Sequence, residues 1–306
     1  MNILFAGSSK SSSKILEYLA GLKEVNIKGA ITQPNKRGKR GVDLKDSEVS
    51  KVASALNLRV LKPISLDNKI FRDEIESLDI DFLVVVAYGK LLPKWLLRHP
   101  KIMPVNVHFS ILPIYRGASP IQSALINGDS QSGVSFMQMT DALDEGPVIL
   151  DKSLEINKED NKITLEKKLT DLSIKNILKV LEDLKKGSIT PSEQNHSLAT
   201  YCTKISKDDS LIDFKDSATN IINKFKAYFE WPGLSFIHRE NRIKIHEISI
   251  VNEESNGVAG SFNRIDRSGI YINTSDLVVV ITHLQFPNKN IISSLDAFNS
   301  YRSFFE

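Results

Sequence analysis

Apolar and polar residues change rhythm along this chain, and the changes mark out its elements. Over the first 155 residues, short apolar runs alternate with stretches whose apolar positions recur every three to four residues. The runs predict strands at 2–6, 25–32, 82–87, 105–109, 134–139 and 148–154, and the periodic stretches predict helices at 11–22, 47–56, 67–78 and 120–127. Phe82-Leu83-Val84-Val85-Val86-Ala87 is apolar on both faces, as a central parallel strand covered by helices must be. This alternation builds an open, doubly wound α/β sheet, which binds ligands at the carboxyl ends of its strands. A long helix at 164–186 closes the unit and stops at Gly187, a residue suited to a helix C-terminus.

Beyond Gly187 the pattern weakens. Residues 188–206 are polar with little periodicity and predict a linker. A helix at 217–228 follows, then short alternating runs at 234–237, 242–250, 269–273 and 277–284, separated by Gly and Asn turns. Short strands of this kind suggest a small β-barrel, closed or half-open. The expected division is therefore 1–187, a linker at 188–206 and a second domain at 207–306.

Composition narrows the setting. The single cysteine, Cys202, excludes an internal disulfide framework and fits a reducing compartment. A charged n-region followed by an apolar h-region is absent, and no apolar run approaches ~18 residues. A cytoplasmic protein without a membrane span is expected. A net charge of +3 does not mark a nucleic-acid binder. Its distribution says more: Lys36, Arg37, Lys39, Arg40 and Lys45 stand against Asp43 within one Gly-containing loop. That loop is either a solvated surface segment or a basic arm for a phosphate backbone. Residues 207–306 hold 11 Lys and Arg against 13 Asp and Glu, so this half is not uniformly positive. Within it, Arg242, Lys244 and His246 alternate with Ile243 and Ile245 and share one strand face. The face is either simply solvated or a stripe for an RNA backbone.

The candidate chemistry lies between residues 106 and 146. Asn106, His108 and Ser110 alternate through an apolar stretch, so a continuous strand would point all three the same way. An amide and an imidazole side by side suit holding an oxyanion, and Asp144 suits taking up a proton. Spacing for a metal site, a Walker A loop and a Gly-x-Gly-x-x-Gly turn are all missing. Gly7-Ser8-Ser9-Lys10-Ser11 could cradle an anion, but a capped helix start is the simpler reading. The set suggests direct acyl transfer to an amine, with no metal.

These residues carry a resemblance. Ile31-Thr32-Gln33-Pro34, Val84-Val85-Val86-Ala87-Tyr88-Gly89, Leu92-Pro93, Asn106-Val107-His108-x-Ser110, Arg116-Gly117-Ala118, Met137-Gln138-Met139 and Leu143-Asp144-x-Gly146 together resemble the folate-dependent formyltransferases. The Thr-Gln-Pro loop, Met-Gln-Met and Trp231-Pro232-Gly233 narrow the likeness to the branch with a C-terminal β domain. The resemblance implies a Rossmann-like formyltransferase domain followed by an OB-like domain that binds tRNA. It implies transfer of formyl from 10-formyltetrahydrofolate to the α-amino group of methionine on initiator tRNA, by a monomer. It assigns catalysis to Asn106, His108 and Asp144. It assigns the folate to Tyr88, Gly89, Lys90, Leu91 and Leu92 and to Ser110, Ile111, Leu112 and Pro113. Lys36, Arg37, Lys39, Arg40, Arg242 and Lys244 fall to tRNA, with Arg40 the best match in its loop. Phe109 and the Ser8–Ser13 turn depart from the family pattern. Two other functions stay open: formyl transfer to a nucleotide-sugar amine or hydrolysis of the formyl folate, and a folate- or RNA-binding module without turnover.

Overall fold

The computed structural model describes residues 1–37 and 44–306, the side chains of 36, 37 and 44 excepted. The contacts divide it into two compact units: Met1–Pro120, Gln131–Glu155 and Glu166–Cys202 form the first, and Ile121–Ser130, Ile156–Leu165 and Thr203–Glu306 the second.

The first unit is built on a seven-stranded sheet. From one edge to the other run Val148–Glu155, Gln131–Gln138, Met103–His108, Phe82–Val86, Asn2–Gly7, Asn26–Ile31 and Val60–Leu61. The last five are mutually parallel, and the first two add on antiparallel. The chain leaves Asn2–Gly7 toward one edge and returns at Phe82–Val86 on its other side. The carboxyl ends of these two strands therefore flank the topological switch point, where doubly wound sheets bind ligands. Phe82–Val86 is buried throughout, as its continuous apolar run requires. At the switch point the helix Lys10–Ala20 begins under a reciprocal cap between Ser9 and Ser12, and Ser12 Oγ also donates to the Val86 carbonyl at 2.6 Å. A side chain at Gly7 would meet Ser12 Cβ at 2.7 Å and Val86 O at 2.8 Å, so only glycine lets helix and strands approach this closely.

The segment expected as a linker differs from that expectation. Tyr201–Cys202 pairs in parallel with Arg116–Gly117, and Ser192 bridges to Val148. Residues 188–202 thus belong to the first unit. The sequence hides this, because the partners lie far upstream and meet it only in a two-residue ladder and a single bridge.

In the second unit, Leu234–His238, Asn241–Glu254, Leu277–Gln285, Ile270–Asn273 and Phe262–Ile265 follow one another by antiparallel pairing. Ile291–Ser293 adds to Leu277–Gln285. Among the described residues no pairing joins the two ends of this path, so the half-open form of the barrel applies. Ile243 and Ile245 face the core while Lys244 and His246 face out, as the alternation predicts. The terminal helix Ser294–Phe305 brings Phe304 and Phe305 against His238, Phe262 and Phe286. No helix among the described residues is long and apolar enough to cross a membrane.

Candidate active site

Asn106 and His108 occupy alternate positions at the carboxyl end of Met103–His108, beside Phe82–Val86. They point the same way, and Asp144 meets them from the loop between the two antiparallel edge strands. Asn106 Nδ2 donates to Asp144 Oδ1 at 3.3 Å. The Gly117 amide donates to Asp144 Oδ2 at 2.9 Å, so each carboxylate oxygen has its own N–H. His108 Nε2 donates to the Tyr115 carbonyl at 2.9 Å, and its Nδ1 lies 3.8 Å from Asp144 Oδ2, too far for a hydrogen bond. Asn106 and His108 are 9% and 6% exposed, which leaves an edge of the group at the surface and removes most of it from water. One donor remains for a ligand oxygen, the second amide hydrogen of Asn106; with Nε2 carrying the proton, Nδ1 of the neutral imidazole is an acceptor and donates only in the doubly protonated ring.

Ser110 does not join them. The strand ends at His108, and Ser110 Oγ donates instead to the Ile114 carbonyl at 2.5 Å. Ser135 fixes this loop: its hydroxyl accepts from the Leu112 amide at 2.9 Å and donates to the Ser110 carbonyl at 2.7 Å. Asp151 also reaches the Ser135 hydroxyl, and burial pushes its carboxyl above the ordinary range. Leu112 is buried, while Ile111 and Pro113 are half-buried at the rim.

Tyr88 also departs from its expected role. Ala87 takes a left-handed φ of 44°, and the Tyr88 ring turns into the core with Leu83, Val85, Leu96, Leu92, Trp95 and Met139. It is 2% exposed, its hydroxyl has no hydrogen-bond partner among the described residues, and burial pushes its pKa up to about 12. The ring is core, and Tyr88 is left with its carbonyl, which accepts from Gln33 Nε2 at 2.7 Å. Gly89 follows with φ 76°, Lys90 Nζ donates to the Ile64 carbonyl, Leu91 is exposed and Leu92 packs on the core.

Around the trio lies a network that the sequence did not announce. Arg116, 1% exposed, donates through Nε (3.1 Å) and Nη2 (2.8 Å) to Gln194 Oε1. Nη2 also reaches His196 Nδ1 at 3.1 Å. Nη1 donates to the Tyr201 hydroxyl at 3.1 Å and lies 3.2 Å from Glu145 Oε1. Gln194 in turn donates to the Asp144 carbonyl at 2.9 Å and the Gly146 carbonyl at 2.7 Å. Arg116 stood in the sequence only as part of a motif, and Gln194 lay in the expected linker.

The expected tRNA residues are scattered. Lys36–Arg37 pairs antiparallel with Leu44–Lys45, and Lys39 and Arg40 lie outside the described residues. In the second unit Lys244 is exposed. Arg242 is not a free cation: its guanidinium donates to Ser235 Oγ, the Lys207 carbonyl and Ser210 Oγ, tying the strand to the 207–210 turn. No group of three or more His, Cys, Asp or Glu among the described residues could hold a metal ion.

The fold and site define a class, and comparison with known proteins agrees. The formyl transferase family model matches residues 1–181, and the model of the formyl transferase C-terminal domain matches 204–302. The chain belongs to the formyl transferase family, a family of formyl-transferring enzymes. Within it, the chain is 36% identical over 300 residues to a methionyl-tRNA formyltransferase of Legionella pneumophila, covering 98% of this chain and 95% of that one. Its branch is that of the methionyl-tRNA formyltransferases. Among solved structures, an N-formyltransferase from Helicobacter canadensis in complex with folinic acid and dTDP-3-aminofucose shares the fold, with TM-score 0.67 and 20% identity over 93% of this chain and 99% of that one. HypX from Aquifex aeolicus, in complex with tetrahydrofolic acid, does so with TM-score 0.63 and 16% identity over 97% of this chain and 46% of HypX.

Proposed function

We propose that this enzyme moves the formyl group of 10-formyltetrahydrofolate to the α-amino group of methionine on initiator tRNA, with Asn106, His108 and Asp144 as the catalytic set. The observation that carries the reading is their convergence at the carboxyl edge of the sheet, in a chain related over nearly its whole length to methionyl-tRNA formyltransferases. The attacking amine needs no strong base to start, because a free α-amino group has a pKa of about 7.7–8.0 and a neutral fraction at ordinary pH. As its nitrogen bonds to the formyl carbon, the carbonyl oxygen gains negative charge. The spare Asn106 hydrogen stabilises that oxygen, joined by the His108 ring when its Nδ1 also carries a proton, and one such donor is worth about 10²–10³ in rate. Asp144 accepts the proton leaving the amine. The bond from the formyl carbon to N10 of the folate then breaks, and N10 takes up a proton.

The folate runs along the Gly89–Leu92 segment and the Ile111–Pro113 rim, with Ser110 and Tyr88 shaping those walls from inside. The tRNA end is held by the basic loop around Lys36, Arg37, Lys39 and Arg40, and the exposed Lys244 of the second unit meets the tRNA backbone. The enzyme acts as a cytoplasmic monomer. The test is incubation with 10-formyltetrahydrofolate and, in parallel, charged initiator tRNA, charged elongator Met-tRNA and a 3- or 4-amino sugar nucleotide. Formylation of the initiator tRNA supports the reading. Formylation of the sugar alone, or release of formate with no acceptor formylated, overturns it.

A further inference from the structure

We infer that Arg116 and Gln194 are positioning residues for Asp144, forming a buried clamp that sets where the proton acceptor stands. The inference rests on the formyl-transfer reading of the site. The three residues Tyr115-Arg116-Gly117 touch both titratable members of the trio through the backbone: the Tyr115 carbonyl holds His108, and the Gly117 amide holds Asp144. The side chain between them reaches Gln194, whose amide group returns to the Asp144 and Gly146 carbonyls. A closed circuit results, from Asp144 Oδ2 through Gly117 and Arg116 to Gln194 and back to the Asp144 main chain.

Three features show that the circuit does more than fill space. Asp144 adopts a left-handed φ of 52°, a conformation uncommon for a non-glycine residue. The two Gln194 donors fall on the carbonyls of that very turn, and both amide hydrogens are used. Each Arg116 nitrogen also meets an acceptor: Gln194 for Nε, Gln194 and His196 for Nη2, Tyr201 and Glu145 for Nη1. A guanidinium this buried is tolerable only when so satisfied, and it then has one geometry. Among the described residues Glu145 is its only acidic partner, so the cation is spent on orientation.

Gln194→Glu separates the two halves of the clamp. It leaves an acceptor for Arg116 and replaces the donors to the Asp144 and Gly146 carbonyls with an oxygen that repels them. With the fold retained, kcat should fall about 10- to 100-fold, the scale of a small misplacement, while KM for the folate and the tRNA stays within about threefold. Hydrogen exchange at the Gly117 amide should quicken, since its acceptor is Asp144 Oδ2. A pair of changes at the outer edge, Tyr201→Phe with Glu145→Gln, keeps both buried residues and serves where the buried variant does not fold. It should lower kcat several-fold, again with KM held. A folded variant with wild-type kcat and wild-type Gly117 exchange overturns the clamp, as does a loss confined to KM. If wild-type protein formylates no acceptor, the formyl-transfer reading fails, and Gly117 exchange still decides whether Asp144 is held this way.

Discussion

Replacing Asp144 with Asn tests the site at the point where its geometry is most restrictive. Each Asp144 oxygen receives one N–H, from Asn106 and from Gly117. A carboxamide has one oxygen and cannot serve both. If it keeps Gly117, its amino group faces that of Asn106, and Asn106 must flip, which withdraws the spare hydrogen aimed at the ligand. If it keeps Asn106, it confronts a backbone N–H that cannot turn away. Hydrogen bonds to a charged group are worth about 1.5–3 kcal/mol, and the Asp144 side chain is only 11% exposed, so one lost bond should be felt nearly in full. At about 2–4 °C per kcal/mol, the melting temperature should fall by roughly 3–12 °C. Turnover should drop far more, by about 10²–10⁴, because the amide cannot accept the amine's proton. Calorimetry and single-turnover formylation, measured on the same preparation, give both numbers. Asp144→Asn with kcat within about threefold of wild type would remove Asp144 from proton transfer, whatever happened to the melt.

Other consequences can be measured separately. Tyr88→Phe should leave folate affinity unchanged and keep or slightly raise stability, since the hydroxyl it removes has no partner among the described residues. With its pKa up from 10.0 to about 12, the buried phenol stays protonated while its unfolded counterpart ionises. Its contribution is complete below pH 10 and disappears by about pH 12, at up to ~1.4 kcal/mol per pH unit. Alkaline melts of wild type should therefore fall more steeply than those of Tyr88→Phe, and equal slopes would show the ring is not dry. Activity should survive exhaustive chelation, because the proposed set is one imidazole, one amide and one carboxylate; loss with EDTA and rescue by zinc would sink direct transfer. Changing Lys36, Arg37, Lys39 and Arg40 to Ser should flatten the salt dependence of Met-tRNA formylation and spare folate binding, and an unchanged response at every salt concentration would leave the loop a surface feature.

The sheet was legible because its signal is local. Six of the seven strands of the first sheet show in the apolar runs, with ends displaced by up to three residues, and four strands of the second unit show in their alternation; Val60–Leu61, Phe262–Ile265 and Ile291–Ser293 do not show. Asn106, His108 and Asp144 were singled out because their motifs match the family pattern, and the structure brings the three together. What failed to show depends on distant partners. Ser110 was grouped with Asn106 by period alone, yet the strand stops at His108 and Ser135, 25 residues on, takes hold of the loop. Tyr88 looked like a binding residue from its motif, but the turn at Ala87 sends the ring inward. Gln194 carries no periodic or compositional mark at all. The terminal helix Ser294–Phe305 was also missed, although Phe298, Tyr301 and Phe305 recur at helical spacing.

The main-chain anchoring of His108 and Asp144 bears on how freely this site can be altered. Backbone atoms survive an exchange of side chain, so the imidazole keeps its support when the residue at 115 is varied among types that tolerate its left-handed φ of 59°. Position 117 offers no such freedom. Gly117 has φ 119°, and a Cβ there would lie 2.2 Å from the Cys202 carbonyl oxygen. A redesign of this loop should therefore work through residue 115 and leave glycine at 117.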